Sequence, residues 1–227
     1  MHTPPLFKTD RAASFAFAEA RGFGLACAYD GRVPVASPVP FCIDYAGDGT
    51  PKLSFHLARN NSLIGLADGK AHWLMAVTGA DAYVSADWYV SPDQVPTWLY
   101  QAVHLSGPVA AMPAQDLPGH LDRLSEKFET RLLPKRPWTT AKMTAGRLQA
   151  MRNGIVGLVM TVEDIHGSFK LNQHKSDADH VAVANALASQ PDTGAQTLAE
   201  RMVALRPQLD YNTSAAGGGQ EIEGAHS

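Results

Sequence analysis

The stretch Gly79-Ala80-Asp81-Ala82-Tyr83-Val84-Ser85-Ala86-Asp87-Trp88-Tyr89, followed after a short gap by Val95-Pro96-Thr97-Trp98-Leu99-Tyr100-Gln101-Ala102-Val103-His104, sets five large aromatics, two carboxylates and a histidine within 26 residues. Aromatic planes beside hydrogen-bonding groups suit a flat, partly polar ligand, with rings to cover its faces and polar atoms to read its edges. From Thr97 onward the pattern has period two. Trp98, Tyr100, Ala102 and His104 fall on one face of a long strand, and Leu99, Gln101, Val103 and Leu105 on the other. Tyr83, Ser85, Trp88 and Tyr89 read as a loop between strands.

Upstream, a helix is expected from Phe7 to Arg21, capped by Thr9 or Asp10 and stopped by Gly22. Phe23–Tyr29 and Val33–Ile43 read as a hairpin about Asp30-Gly31, with prolines 34, 38 and 40 marking an edge or an irregular path. Gly47-Asp48-Gly49 turns the chain into a strand over Lys52–Leu57. Asn60-Asn61 then opens a short helix to Leu66, and Trp73–Val77 is an apolar strand. Downstream, Leu121, Leu124 and Phe128 recur at helical spacing, and a second helix is expected over Thr140–Arg152. A buried strand follows over Ile155–Val162, then a strand fragment at Phe169-Lys170-Leu171. Two further helices are expected, one opened by Ser176 and Asp179 and running to Leu187, the other over Gln196–Leu205. Many short strands joined by turn chemistry, with helices gathered late, imply a mainly β protein: an antiparallel barrel with peripheral helices. Residues 1–190 are expected to form the ligand-binding body, 191–212 a helical extension, and 213–227 a disordered tail.

The chain has 227 residues, of which 45 % are hydrophobic and 18 % charged, so it can bury a core. A net charge of −3 argues against a broad electrostatic footprint on nucleic acid. Cys27 and Cys42 read as buried apolar thiols of a reducing compartment, without the spacing of a zinc site. No signal-peptide pattern and no transmembrane run is present, so a cytoplasmic protein without membrane contact is expected. No metal-ligand, nucleophile-elbow, dinucleotide or Walker spacing occurs.

Several blocks together resemble the PaiB family of FMN-binding negative transcriptional regulators, which are built on the FMN-binding split barrel. They are His56-Leu57-Ala58-Arg59-Asn60-Asn61, Gly79 to Tyr89, Val95 to His104 with Gly107, Ile155-Val156-Gly157, and Lys170-Leu171-Asn172-Gln173-His174-Lys175-Ser176. The resemblance covers roughly Phe7 to Leu187. It implies a split-barrel homodimer, FMN as cofactor, and negative regulation of transcription. Leu99, Asn172 and His174 depart from the family's Asn, Ser and Asn.

FMN combines a phosphate, a flexible chain and a flat ring. Arg59, Asn60, Asn61 and Ser62 stand where a strand enters a helix, a place that suits an anion. His56 precedes them and either orients the arginine or faces the ligand. Tyr83, Trp98 and Tyr100 are candidates to cover the ring. Lys170 and Gln173 lie in a block that the resemblance implies is near the cofactor, where a lysine stabilises negative charge on a reduced ring. No helix-turn-helix is evident, and the most basic segment, Arg131-Leu132-Leu133-Pro134-Lys135-Arg136, is short. Regulation is therefore expected to act through a ligand or protein partner, with DNA contact indirect. Two alternatives stay open. One is a flavin-dependent oxidoreductase or flavin reductase of the pyridoxamine-phosphate-oxidase-like type. The other is a cofactor-free split barrel, if the three departures remove ligand contacts.

Overall fold

The tight turn Asp30–Val33 needs a residue at positive φ, and Gly31 supplies it at φ 95°. Asp30 Oδ1 accepts from the amides of Arg32 and Val33, both at 2.8 Å, and so closes the turn between strands β2 (Phe23–Tyr29) and β3 (Pro34–Tyr45). Gly49, at φ 81°, turns β3 into β4 (Pro51–Ala58). The prolines of β3 lie on its first half, which pairs with β2 alone; its second half pairs with β4 alone. The strand is thus an edge along each half, which tolerates the missing amides.

The structure, a computed structural model, describes residues 1–211, so the expectation for 213–227 lies outside the described residues. The other elements are β1 (Lys8–Thr9), α1 (Arg11–Arg21), β5 (Asp68–Val84), β6 (Thr97–Ala111), α2 (Leu117–Glu129), α3 (Ala145–Asn153), β7 (Ile155–Thr161), β8 (Asp164–Lys170), α4 (Asp177–Ala188) and α5 (Thr193–Leu205). The sheet runs β1-β8-β6-β5-β2-β3-β4-β7, and β6 also pairs with β7 through Val109 and Met160. That last pairing closes β6-β5-β2-β3-β4-β7 into a six-stranded ring, with β8 and β1 as an appended ribbon. Gly107 permits the closure, because a Cβ there would lie 1.8 Å from the Thr161 carbonyl oxygen.

Several boundaries differ from the sequence reading. Asp10 accepts from Ala13 N and starts α1, so Lys8-Thr9 is free to form a strand against Gly167 and Ser168. Beyond Trp73–Val77, β5 continues through the aromatic block, so Tyr83 is a strand residue and not a loop residue. The expected helix over 140–152 is a 3₁₀ turn, Thr140–Lys142, followed by α3. Cys42 is buried as expected, but Cys27 is half-buried on the outer side of β2.

Two compact units emerge among the described residues: residues 1–79 with 102–169, and 80–101 with 170–211. The first unit carries the barrel core, which includes Phe41, Phe55, Trp73, Met75, Val103, Leu105, Leu158 and Met160. Burying these side chains is its main stabilisation, about 2 kcal/mol for each large one. In the second unit, Val183 and Leu187 of α4 and Leu198 and Met202 of α5 are sealed from solvent. Ser176 caps α4 by accepting from Asp179 N at 3.2 Å, as the sequence pattern predicts.

Candidate functional site

The candidate residues divide between the units, and each group is described by itself. His56, Arg59, Asn60, Asn61 and Ser62 belong to the first unit; Tyr83, Trp98, Tyr100, Lys170 and Gln173 belong to the second.

In the first unit the corner after β4 is tied down. The Arg59 amide donates to Gly154 O at 2.8 Å, its Nε to Asn153 O at 2.7 Å, and its Nη2 to Ile155 O at 3.0 Å. A guanidinium on Asn153 O, the last carbonyl of α3, is the favoured pairing of a cation with a helix C-terminus. Its Nη1 has no hydrogen-bond partner among the described residues. Asn61 uses both side-chain atoms: Oδ1 accepts from Leu63 N at 3.0 Å and Nδ2 donates to Ser37 Oγ at 3.1 Å. It caps the helix as expected, but that helix is a single 3₁₀ segment, Ser62–Leu66, with little dipole to offer an anion. Asn60 and Ser62 are exposed.

His56 is half-buried on β4, opposite Gly157 of β7. Its Nδ1 lies 3.2 Å from Nε2 of His120, and Nδ1 of His120 lies 3.2 Å from Ser54 Oγ. Burial lowers the pKa of both imidazoles. That of His120 falls to about 4, through burial first and then the charges of His56 and Arg123. Sequence reasoning missed His120. Its signal was a histidine on the apolar side of α2, one turn before Leu124.

In the second unit Tyr83 and Trp98 meet edge-on, ring centroids 6.1 Å apart at 70°. They stay 49 % and 54 % exposed, an unusual cost for two large rings in a strand context. Tyr100 lies two residues from Trp98 on the same strand face and is half-buried, whereas Leu99 and Gln101 face inward. Lys170 Nζ donates to Thr97 Oγ1 at 2.5 Å, the hydroxyl of the residue that precedes Trp98. Gln173 Oε1 accepts from Leu171 N at 2.8 Å and shapes the turn after β8. Asn172, fully buried at φ 57°, accepts from Tyr89 OH at 3.3 Å.

A ring of antiparallel strands with helices around it and outward aromatics on one strand is a split barrel. The chain belongs to the FMN-binding domain family: residues 1–164 match the family described as "Putative FMN-binding domain". It is 29 % identical over 203 residues to Protease synthase and sporulation protein PAI 2 of Bacillus subtilis (strain 168), covering 89 % of this chain and 96 % of that protein. Two solved structures share the fold. The FAD and heme binding protein from Mycobacterium smegmatis has 18 % identity and a TM-score of 0.51, covering 71 % of this chain and 72 % of that one. The flavocytochrome Anf3 from Azotobacter vinelandii has 15 % identity and a TM-score of 0.50, covering 74 % and 72 %. Among the described residues, no helix is long and apolar enough to cross a membrane.

Proposed function

We propose that this protein binds FMN, or a similar flat phosphorylated ligand, as a cytoplasmic homodimer, and acts as a PaiB-type negative regulator of transcription. The observation that carries this reading is the half-exposed Tyr83–Trp98 pair on the barrel strands of an FMN-binding-domain chain. When bound, FMN supplies a redox-active ring. Tyr83, Trp98 and Tyr100 would cover that ring, and Lys170 and Gln173 would stand at its polar edge. Arg59, Asn60 and Ser62 would hold the phosphate, with Asn61 shaping the corner. Two of the Arg59 nitrogens are pinned to carbonyls, so the guanidinium is held in place before an anion arrives, which lowers the ordering cost of binding.

The homodimer reading has its own support. On the outer side of β2, Phe23, Leu25 and Tyr29 are 47 %, 40 % and 64 % exposed, next to Pro40, Pro38 and Pro34 of β3. A contiguous apolar sheet face of this kind is the usual mark of a surface that another chain covers. Regulation is proposed to pass through the ligand or a protein partner, since the chain lacks excess positive charge.

Two of the three departures behind the cofactor-free alternative lie away from an outward face: Leu99 is 0 % exposed and faces the interior, and Asn172 is buried as a turn residue, whereas His174 is exposed. Titration of the protein with FMN, followed by quenching of flavin fluorescence, tests the reading. Saturable quenching that Trp98→Ala weakens at least tenfold is expected. No quenching by the native chain would remove FMN.

A further inference from the structure

Leu53, Phe55 and Leu57 of β4 point into the barrel core, so Lys52, Ser54 and His56 share its other side, which α2 covers. There Ser54 Oγ, the His120 ring and the His56 ring form an unbroken hydrogen-bonded chain, with both links at 3.2 Å. One end opens on a groove of about 390 Å³, where Ser54 lies beside Lys52, Met112, Gln115, Gly119 and Val159. The middle member, His120, is 0 % exposed. At the other end, His56 Nε2 has no protein partner among the described residues and is not one of the sealed, unpartnered atoms.

An imidazole nitrogen facing another needs one proton between them, so the two rings are bonded only when neutral or singly charged. Burial keeps both neutral near pH 7. The charged groups around the chain are Asp44 on β3, Lys52 on β4, Asp116 just before α2, and Arg123 on α2. Arg123 is 3.5 Å from Asp44, and Lys52 donates to Thr161 Oγ1 of β7 at 2.7 Å. Two proton arrangements then satisfy the chain equally. In one, Ser54 donates to His120 Nδ1, His120 Nε2–H donates to His56 Nδ1, and His56 Nε2–H points outward as a donor. In the other every bond is reversed, and Nε2 is bare. A nucleophilic role for Ser54 fails on magnitude, because a base titrating near pH 4 is far too weak to activate a hydroxyl at neutrality.

We propose that Ser54, His120 and His56 form a proton relay of the barrel unit, with the groove as its water-side mouth and His56 Nε2 as its outer end, available to a ligand that takes up a proton on reduction. This rests on the flavin reading above. In one transfer His56 Nε2 would give its proton to that ligand. His56 Nδ1 then takes one from His120 Nε2, His120 Nδ1 takes one from Ser54, and Ser54 takes one from a groove water, whose hydroxide passes to bulk solvent and buffer. The relay ends in its second arrangement with no net charge, and the reverse sequence returns a proton to the groove. Ser54 and His120 act through His56 and need not touch the ligand.

Nitrogen NMR of ¹⁵N-histidine-labelled full-length apoprotein tests the relay without any ligand. Ser54→Ala is expected to change the ratio of the two His56 tautomers at least twofold, although Ser54 does not touch His56. An unchanged ratio in both Ser54→Ala and His120→Gln would overturn the relay. With FMN bound and dithionite as reductant, His120→Gln is expected to slow proton-coupled reduction at least tenfold and to abolish its solvent deuterium effect, with FMN affinity unchanged within twofold. An equal rate and an equal isotope effect would overturn delivery to the ring. Failure of the native chain to bind FMN would instead refute the flavin reading and the delivery step together, while the tautomer ratio still decides the relay.

Discussion

His120 in the barrel unit and Asp179 in the helical unit are both buried titratable residues on helices, 0 % and 3 % exposed, yet they meet burial in opposite ways. His120 is surrounded by another imidazole, a hydroxyl and apolar strands, and it gives up its charge. Asp179 keeps its charge. Burial pushes its carboxyl up, but the hydrogen bonds from Ser91, Ser176 and Val90 outweigh that and hold it below the usual carboxylate range. Val90 N and Ser91 N reach Oδ1 at 2.9 Å, and Ser91 Oγ reaches Oδ2 at 2.8 Å. Fixed donors aimed at the charged form decide the outcome, more than burial itself. The barrel unit is thereby left with neutral, reversible hydrogen bonds. The helical unit gains a fixed charge that pins the segment after Tyr89 to α4.

The largest effect that distinguishes the two is pH dependence. His120 titrates near 6.5 when unfolded and near 4 when folded, so between those values the unfolded chain binds the extra proton. Its contribution is complete above pH 6.5, falls as pH drops through the window, and levels off below 4. The loss approaches about 3 kcal/mol, with His56 adding in the same direction. Urea melts from pH 7 to pH 4 should show this slope, and His120→Phe should flatten it; an unchanged slope in that variant would break the contrast.

Asp179→Ala should come next. It leaves three donors around residues 90 and 91 unpaired and costs about 2 kcal/mol. The loss should be flat between pH 5 and 8, since a depressed carboxylate contributes fully above its unfolded value of 3.8 and declines only as pH falls through the folded one. Arg59→Ala should cost about 1 kcal/mol in the same melts, because it releases the last carbonyl of α3, Asn153, and the first of β7, Ile155. It should also weaken FMN binding, and unaltered affinity would take Arg59 out of the phosphate contact. Trp98→Ala should change stability by no more than about 0.5 kcal/mol, because the ring is half in solvent. A larger loss would mean that the ring is held for packing and not for a ligand.

Much of the fold was legible in the sequence because its signals were local. Asp30-Gly31, Gly47-Asp48-Gly49, Asn61 and Ser176 each carry their turn or cap within four residues. The alternation from Trp98 to Leu105 also separates outward from inward side chains as the burial shows. The rest depended on long-range partners. Nothing near Lys8 announces that it will pair with Ser168. β5 runs on through Tyr83 although Gly79, Ala80 and Asp81 are weak strand formers. At the site, the candidate residue types were readable but their commitments were not. Asn61 spends both polar atoms on local structure, Arg59 spends two nitrogens on carbonyls, and the pairing of His56 with His120 joins residues 64 apart.

Native mass spectrometry of the full-length protein after incubation with FMN tests the central claim most directly. The account predicts a dimer of twice 24.3 kDa carrying FMN, with the flavin lost from the Trp98→Ala dimer. A monomer, or a dimer that never retains FMN, would contradict it.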